Sequence, residues 1–406
     1  MKILHVGSPF TDFEGKFCLT FKFTQGLKSL GHDVEIATTD ADCYFFDMEK
    51  SKMYQSIRKI LLESEGKTIQ FRGIPVHVFH SITPRFGMYC LSIKKDIEKI
   101  IGKYDVIHIC SWYSHIGMSF AEMAHKYGIP FIVSPWGSLQ PEARSLKKNM
   151  KVFADTKFTK KLVPHAYFHS VGKSETEALV KICANPEKIF HIDHPVDLED
   201  FIVKKKTEID KKIDFDPKNR YVLYLSRINK KKGLELLLNS FKRVWRIDKN
   251  IILIIAGSGE DEYVKEIKRL VSSLGISEAV KFTGLVSADE KLELLELASI
   301  FALTSHSDVH PIAVQEALTM GVPVVITRIC DYPEVEEFEA GILVDENEQS
   351  IADVISSLVN DKSRLSQMSS NAKKLISERF LLGNQVKKHE EMYIDAIKKN
   401  KLHHNN

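Results

Sequence analysis

Two acidic residues, Asp308 and Glu316, stand in the otherwise apolar stretch SDVHPIAVQEALTMGVPVVITR, residues 307–328. Pro311 suits the first turn of a helix, which places Asp308 on the loop before that helix and Glu316 inside it. A carboxylate on an apolar, packed surface needs hydrogen-bond donors, and sugar hydroxyls are suitable ones. A pair that binds sugar hydroxyls is therefore one interpretation of the spacing. The alternative is a helix N-cap at Asp308 and an exposed glutamate.

A basic loop, YLSRINKKKG (residues 224–233), lies between a predicted strand and a predicted helix. Backbone N–H groups and the helix dipole favour an anion at such a position. Arg227 offers a planar fork and Lys232 a compact charge, which together suit a diphosphate. The alternative is a solvated lysine-rich turn.

Glycines follow two further predicted strands. Gly257 and Gly259 lie in AGSGE after the apolar run IILIIA, and Gly284 ends VKFTG. Glycine lets a phosphate or a base approach the backbone closely, although a tight turn requires the same residue. We include all three among the predicted substrate contacts.

The elements that position these residues follow from alternating apolar runs and amphipathic stretches, which is the pattern of parallel α/β sheets. The fold class is α/β, with two doubly wound Rossmann-like domains facing each other across a cleft. The predicted domains are 1–200 and 219–380, joined by a charged linker at 201–218. A last helix at about 382–400 is expected to pack back on the first domain.

Composition excludes several classes of protein. The chain has 406 residues and a formal net charge of +3, which gives no indication of nucleic-acid binding. Its six cysteines form no Cys-x-x-Cys pair and its histidines have no ligand spacing, so no metal site is expected. The triplet Asp40–Asp42 is interpreted as an exposed loop. The absence of a secretory signal or a long apolar run predicts a cytoplasmic protein.

The motifs YLSRINKKKG, AGSGE, VKFTG and SDVHPIAVQEALTMGVPVVIT resemble, in order and spacing, the nucleotide-sugar-binding half of family 4 glycosyltransferases, retaining enzymes of the GT-B fold. By this resemblance Asp308 faces the donor sugar and Glu316 the nucleotide ribose, while Arg227 and Lys232 hold the diphosphate. The family usually has glutamate at the first acid. No metal or cofactor is then needed. The predicted substrate contacts between the acids are His310, Pro311, Ile312 and Ala313.

The first half resembles the same family less closely. Where the family has paired glycines after the first strand, this chain has Gly15 and Lys16, which we expect to contact substrate. Where a histidine precedes glycine near the donor sugar, the chain has Trp136 before Gly137. A tryptophan can stack on a sugar ring but cannot relay a proton.

The resemblance implies an enzyme that moves a sugar from a nucleoside-diphosphate sugar to a glycan or lipid-linked glycan, as in surface polysaccharide assembly. The alternatives are a sugar-nucleotide epimerase, a glycan phosphorylase, for which no cofactor-lysine motif is seen, and an inactive binding subunit. The basic stretch 143–163 adds the hypothesis of peripheral association with an anionic membrane, against the simpler interpretation of a solvated helix.

Overall fold

The computed structural model describes residues 1–7, 16–40, 68–82, 89–110, 112–140, 155–182 and 184–404. The chain divides into two compact units, Met1–Pro195 with Leu382–Asn406 and Val196–Leu381. The segment 201–218, predicted as a linker, belongs to the second unit. The segment is packed and is not an exposed linker, because Ile209 and Ile213 are buried in the core of that unit.

Eight strands of the first unit form one sheet: β1 (Lys2–Gly7), β2 (Asp33–Thr39), β3 (Thr68–Phe71), β4 (Ile74–Phe79), β5 (Val106–Cys110), β6 (Phe131–Ser134), β7 (Tyr167–Ser170) and β8 (Ile189–His191). Their order across the sheet is β3-β4-β2-β1-β5-β6-β7-β8. Neighbouring strands are parallel except β3 and β4, which form a hairpin with Gly73 between them. β8 has only three residues, too few to show a sequence pattern.

The helices described in the first unit are α1 (Lys16–Ser29), α2 (Ile93–Glu98), α3 (His115–Lys126), α4 (Lys160–Leu162), α5 (Lys173–Lys181) and, from the end of the chain, α14 (Leu382–His404). α2 starts at Ile93, directly after Ser92, which is left-handed at φ 57°. α14 packs against α1. A Cβ at Gly26 of α1 would lie 2.4 Å from the Val386 side chain, so glycine permits this close packing.

Six strands of the second unit form a parallel sheet: β9 (Arg220–Leu225), β10 (Ile251–Ala256), β11 (Val280–Gly284), β12 (Ile300–Leu303), β13 (Val324–Thr327) and β14 (Gly341–Val344). All six residues of β10 are buried, as expected for a parallel strand covered on both faces. The strand order is β11-β10-β9-β12-β13-β14. The order reverses between β9 and β12, and ligands of open α/β sheets bind at such a switch point.

The helices of the second unit are α6 (Ile209–Lys212), α7 (Leu234–Ile247), α8 (Asp261–Leu274), α9 (Ala288–Leu297), α10 (Ile312–Thr319), α11 (Glu334–Glu337), α12 (Glu348–Val359) and α13 (Lys362–Leu375). α7 follows β9 and α10 follows β12. Both helices therefore start at the switch-point edge of the sheet, where the sequence places its predicted donor residues. Among the described residues, no helix is long and apolar enough to cross a membrane.

Candidate active site

Gly233 ties together the two loops that flank the switch point. It follows the single turn Lys230–Lys232 and has φ 60°. A Cβ at this position would lie 1.8 Å from the carbonyl oxygen of Thr304, and the Thr304 hydroxyl donates to the Gly233 carbonyl at 2.8 Å. Only glycine allows this contact. The basic turn is therefore fixed against the loop that follows β12.

Lys232 and Asp308 form an ion pair between these loops. The Lys232 ammonium donates to Asp308 Oδ2, and the two side chains are only 15% and 17% exposed. The Ser305 hydroxyl donates to the same oxygen at 3.3 Å, while the Val309 N–H donates to Oδ1 at 3.2 Å. The structure thus brings together a residue predicted to hold the diphosphate and one predicted to hold the sugar.

Arg227 lies on the same loop as Lys232, directly after β9, and is exposed. The Tyr224 hydroxyl donates to its backbone carbonyl at 3.2 Å, which fixes the start of the loop. Burial raises the pKa of Tyr224 well above its usual value, so this hydroxyl stays protonated and able to donate. The Arg227 guanidinium is consequently presented from a fixed backbone at the edge of the sheet.

At Gly257 and Gly259 a neighbouring loop of the protein comes close to the backbone, where the sequence predicted a ligand. A Cβ on Gly257 would lie 1.9 Å from the Ser226 carbonyl oxygen, and one on Gly259 2.0 Å from that of Ile228. The Ile228 N–H also donates to the Ser258 carbonyl at 2.7 Å. The close approach is therefore made by the Arg227-bearing loop itself. These glycines position that loop.

Glu316 lies on α10 and is paired with Lys291 of α9. The Lys291 ammonium donates to Glu316 Oε1 at 2.7 Å, and the side chains are 12% and 15% exposed. Gly284 ends β11 in a left-handed conformation, φ 69°, four residues before the start of α9. The exposed Gly284 and the half-buried Glu316 belong to the same unit as the basic loop.

The segment between the two acids is mostly packed. The His310 side chain is 1% exposed and stacks on Tyr332 with ring centroids 4.0 Å apart, so it lies in the core instead of lining the edge. Its φ of 44° and the bond from its N–H to the Cys330 carbonyl fix the loop before α10. Pro311 is buried and forms the N-cap, whereas Ile312 and Ala313 are half-buried in the first turn. The start of a helix presents backbone N–H groups that suit an anion, and Ile312 and Ala313 lie at the start of α10.

In the first unit, Trp136 and Gly137 form a left-handed turn after β6, with φ 48° and 77°. Glu175, which the sequence analysis did not select, holds this turn. Its side chain is buried, and its carboxylate accepts hydrogen bonds from the N–H groups of Gly137 and Val171. Charge-assisted bonds of this kind are about twice as strong as neutral ones. Glu175 therefore fixes the half-buried Trp136 in an otherwise unfavourable conformation.

Other predicted features fall partly outside the described residues. Gly15 lies outside them, as do residues 41–42 of the acidic triplet and most of the basic stretch 143–163. Lys16 is the first residue of α1. Asp40 is buried, and its carboxylate accepts from the Ser81 N–H at 2.7 Å, so it supports a loop.

Buried histidines, which the sequence presents without ligand spacing, meet in the first unit. His5 and His108 lie on neighbouring strands, and the Tyr393 hydroxyl of α14 lies 3.0 Å from His5 Nε2 and 2.6 Å from His108 Nδ1. The Ser134 hydroxyl lies 2.6 Å from His108 Nε2 and 2.7 Å from His169 Nδ1. Burial lowers the pKa of His5 to about 3 and that of His169 to about 4. The rings are therefore neutral near pH 7 and attach α14 to the sheet.

Two family models match the chain, one in each half. The model of Glycosyltransferase Family 4 matches residues 19–200, and that of Glycosyl transferases group 1 matches residues 205–375. The chain belongs to the family 4 glycosyltransferases. The resemblance drawn from the motifs is thereby confirmed.

One relative of this glycosyltransferase aligns over most of its length, and another over about half. An uncharacterized glycosyltransferase of Methanocaldococcus jannaschii is 25% identical over 393 residues, covering 92% of each chain. The N-acetyl-alpha-D-glucosaminyl L-malate synthase of Bacillus anthracis is 24% identical over 231 residues, 56% of this chain and 58% of that protein. The crystal structure of Anabaena HepE with UDP and glucose superimposes with a TM-score of 0.73 at 18% identity, covering 97% of this chain and 100% of the other. That likeness confirms the predicted fold class, two Rossmann-like α/β domains of the GT-B type.

Proposed function

We propose that this glycosyltransferase moves a sugar from a nucleoside-diphosphate sugar to a glycan or lipid-linked glycan, with retention of configuration and without a metal ion. The observation that carries the proposal is the paired Lys232 and Asp308 at the switch point, with Arg227 exposed on the same loop. Two cations at this edge match the charge of a diphosphate. HepE, whose structure holds UDP and glucose, supports a UDP-sugar as the donor.

The chemistry assigned to these residues is stabilisation of the leaving group. As the bond from the sugar carbon to the diphosphate breaks, negative charge grows on the phosphate oxygens. Lys232, whose side chain is 15% exposed, would offset that charge where electrostatic interactions are strong, and the exposed Arg227 would add a second positive charge from the same loop. The acceptor oxygen bonds to the same sugar carbon from the face that the diphosphate leaves. Its proton passes to a phosphate oxygen, and the nucleoside diphosphate departs.

Asp308 has a complementary role in the proposal. Its carboxylate is held by Lys232, Ser305 and the Val309 N–H. When the donor binds, its sugar hydroxyls would bond to Asp308 in place of Lys232. The Lys232 ammonium would then bond to the diphosphate. The ion pair therefore keeps both charged groups desolvated and oriented until the substrate separates them. Glu316, on α10, would accept from the ribose hydroxyls.

The acceptor is assigned to the first unit. Trp136 is a half-buried aromatic residue at the carboxyl end of β6, held by Glu175, and an aromatic face of this kind suits a sugar ring. A role in surface polysaccharide assembly, with the basic stretch 143–163 meeting anionic lipid from the cytoplasmic side, completes the proposal. Vesicle sedimentation with and without anionic phospholipid tests the lipid contact.

A transfer assay tests the proposal. UDP-, GDP- and ADP-sugars are incubated with oligosaccharide and lipid-linked acceptors, and the nucleoside diphosphate released and the anomeric configuration of the product are measured with and without EDTA. Lys232→Met is expected to lower kcat by about 10²–10³-fold, the usual effect of removing one stabilising group. Lys265→Met, which removes an exposed lysine of α8 paired with Glu262, is the matched control. Isomerised donor without transfer product indicates an epimerase instead.

A further inference from the structure

The pair formed by Lys291 and Glu316 is not an ordinary surface salt bridge. The nitrogen lies 2.7 Å from Glu316 Oε1, and neither side chain is more than 15% exposed. An exposed pair in the same unit, Lys265 with Glu262, has side chains 59% and 77% exposed. Exposed pairs contribute little, whereas a desolvated pair holds its two groups firmly in one geometry.

Lys291 occupies a position where the helix itself does not favour a cation. Ser287 caps α9 and forms a capping box with Glu290, and the Lys291 N–H donates to the Ser287 carbonyl at 2.9 Å. Lys291 thus lies near the positive end of the helix dipole, where anions stabilise and cations destabilise. Pairing with Glu316 offsets this cost.

Two further acids of α9 bind a different part of the chain. Asp289 accepts from the Lys204 N–H at 2.9 Å, and Glu293 accepts from the N–H and the hydroxyl of Thr207 at 2.6 and 2.8 Å. These bonds fix α9 on its outer side. Lys291 consequently projects toward α10 from a helix that is already held in place.

We propose that Lys291 is a positioning residue that orients the Glu316 carboxylate and makes the donor site select nucleotides with intact ribose hydroxyls. This inference rests on the proposed function, because it assigns the ribose to Glu316. An ionised carboxylate accepts about four hydrogen bonds, so the bond from Lys291 does not by itself prevent a bond from a hydroxyl. The ammonium also offsets the repulsion between Glu316 and a nearby diphosphate.

The test is isothermal titration of UDP, 2′-deoxy-UDP and 3′-deoxy-UDP. The wild-type protein is expected to bind UDP at least about tenfold more tightly than one of the deoxy analogues, since a hydrogen bond to a charged group is lost. Lys291→Met should reduce that ratio to below about threefold, and Lys291→Arg should restore part of it. Lys265→Met is the control and should keep the wild-type ratio. In steady-state assays Lys291→Met should raise the donor KM and leave kcat nearly unchanged.

Three outcomes overturn the inference. Equal binding of UDP and both analogues by the wild type removes the ribose contact. An unchanged ratio in Lys291→Met shows that Glu316 does not depend on the lysine. A wild type that binds no nucleoside diphosphate rejects the donor site as a whole. This result differs from the first two, in which UDP still binds the wild type. If Lys291→Met does not fold, Lys291→Gln supplies the uncharged variant.

Discussion

The buried histidines of the first unit should make its stability depend on pH. Burial lowers the pKa of His5 to about 3 and of His169 to about 4, from 6.5 for an ordinary histidine. Between those folded values and 6.5, the unfolded chain binds more protons than the folded one. The free energy of unfolding is therefore not reduced by these histidines above pH 6.5, and it decreases as the pH falls below 6.5.

The size of the loss follows from the same values. At about pH 5 a histidine with an unfolded pKa of 6.5 and a folded pKa of about 3 or about 4 costs about 2 kcal/mol by proton linkage. His5 and His169 together cost about 4 kcal/mol, a large part of the 5–15 kcal/mol typical of a folded protein. Burial also lowers the pKa of His108 and His389, which adds to the loss. Most carboxylates are still ionised at about pH 5, so histidines dominate.

Urea denaturation at about pH 8 and about pH 5 measures this effect. Tryptophan fluorescence follows the first unit, because Trp112 and Trp136 are two of the three tryptophans. His169→Gln should reduce the loss between the two pH values by about 2 kcal/mol. His306→Gln, which changes a histidine of the second unit with 46% of its side chain exposed, is the control for a substitution outside the buried network. Equal stability of the wild type at both pH values would refute the reasoning.

Three further substitutions test the positioning of two loops and the attachment of α14. Gly259→Ala places a methyl group against the Ile228 carbonyl, and displacement of the Arg227 loop should raise the donor KM at least about tenfold, measured by initial rates. Glu175→Gln removes a charged acceptor and should lower acceptor-dependent transfer more than donor binding; equal loss of both would contradict a role in holding Trp136. Tyr393→Phe leaves two buried ring nitrogens without their shared hydroxyl and should cost about 2–4 kcal/mol in urea denaturation at pH 8; a change below about 0.5 kcal/mol would contradict the network.

The strands and most helices are predictable because their signals are local. The run IILIIA is a buried parallel strand in any context that covers both faces, and it forms β10. Pro311 before an apolar stretch marks the start of a helix, and α10 starts at the next residue. The fold class followed from the alternation of such elements.

The pairings within the site are not predictable, because they depend on which strand ends become neighbours. Lys232 and Asp308 are 76 residues apart and meet only because β9 and β12 are adjacent. His5 and His108 meet through the register of β1 and β5. Glu175 looks like an ordinary helix residue until the loop after β6 is placed beside it.

Gly257 and Gly259 indicated that some group approaches the backbone closely, but not which group. Gly257 and Gly259 were expected to admit a ligand, and they admit the carbonyls of Ser226 and Ile228. A sequence shows that something approaches the backbone closely, but only the fold shows what approaches. His310 was likewise predicted to contact the substrate, and the fold shows that its side chain packs on Tyr332.

The most direct test of the donor site is thermal unfolding with UDP, GDP, ADP and their sugar conjugates, run on the wild type and on Arg227→Ala. A ligand at a hundred times its dissociation constant stabilises by about 2.7 kcal/mol, which raises the melting temperature by several degrees. We predict that one nucleotide family stabilises the wild type and Arg243→Ala, which changes an exposed arginine of α7, but not Arg227→Ala. If no nucleotide shifts the wild type, or if Arg227→Ala responds equally, the switch-point loops are not the donor site.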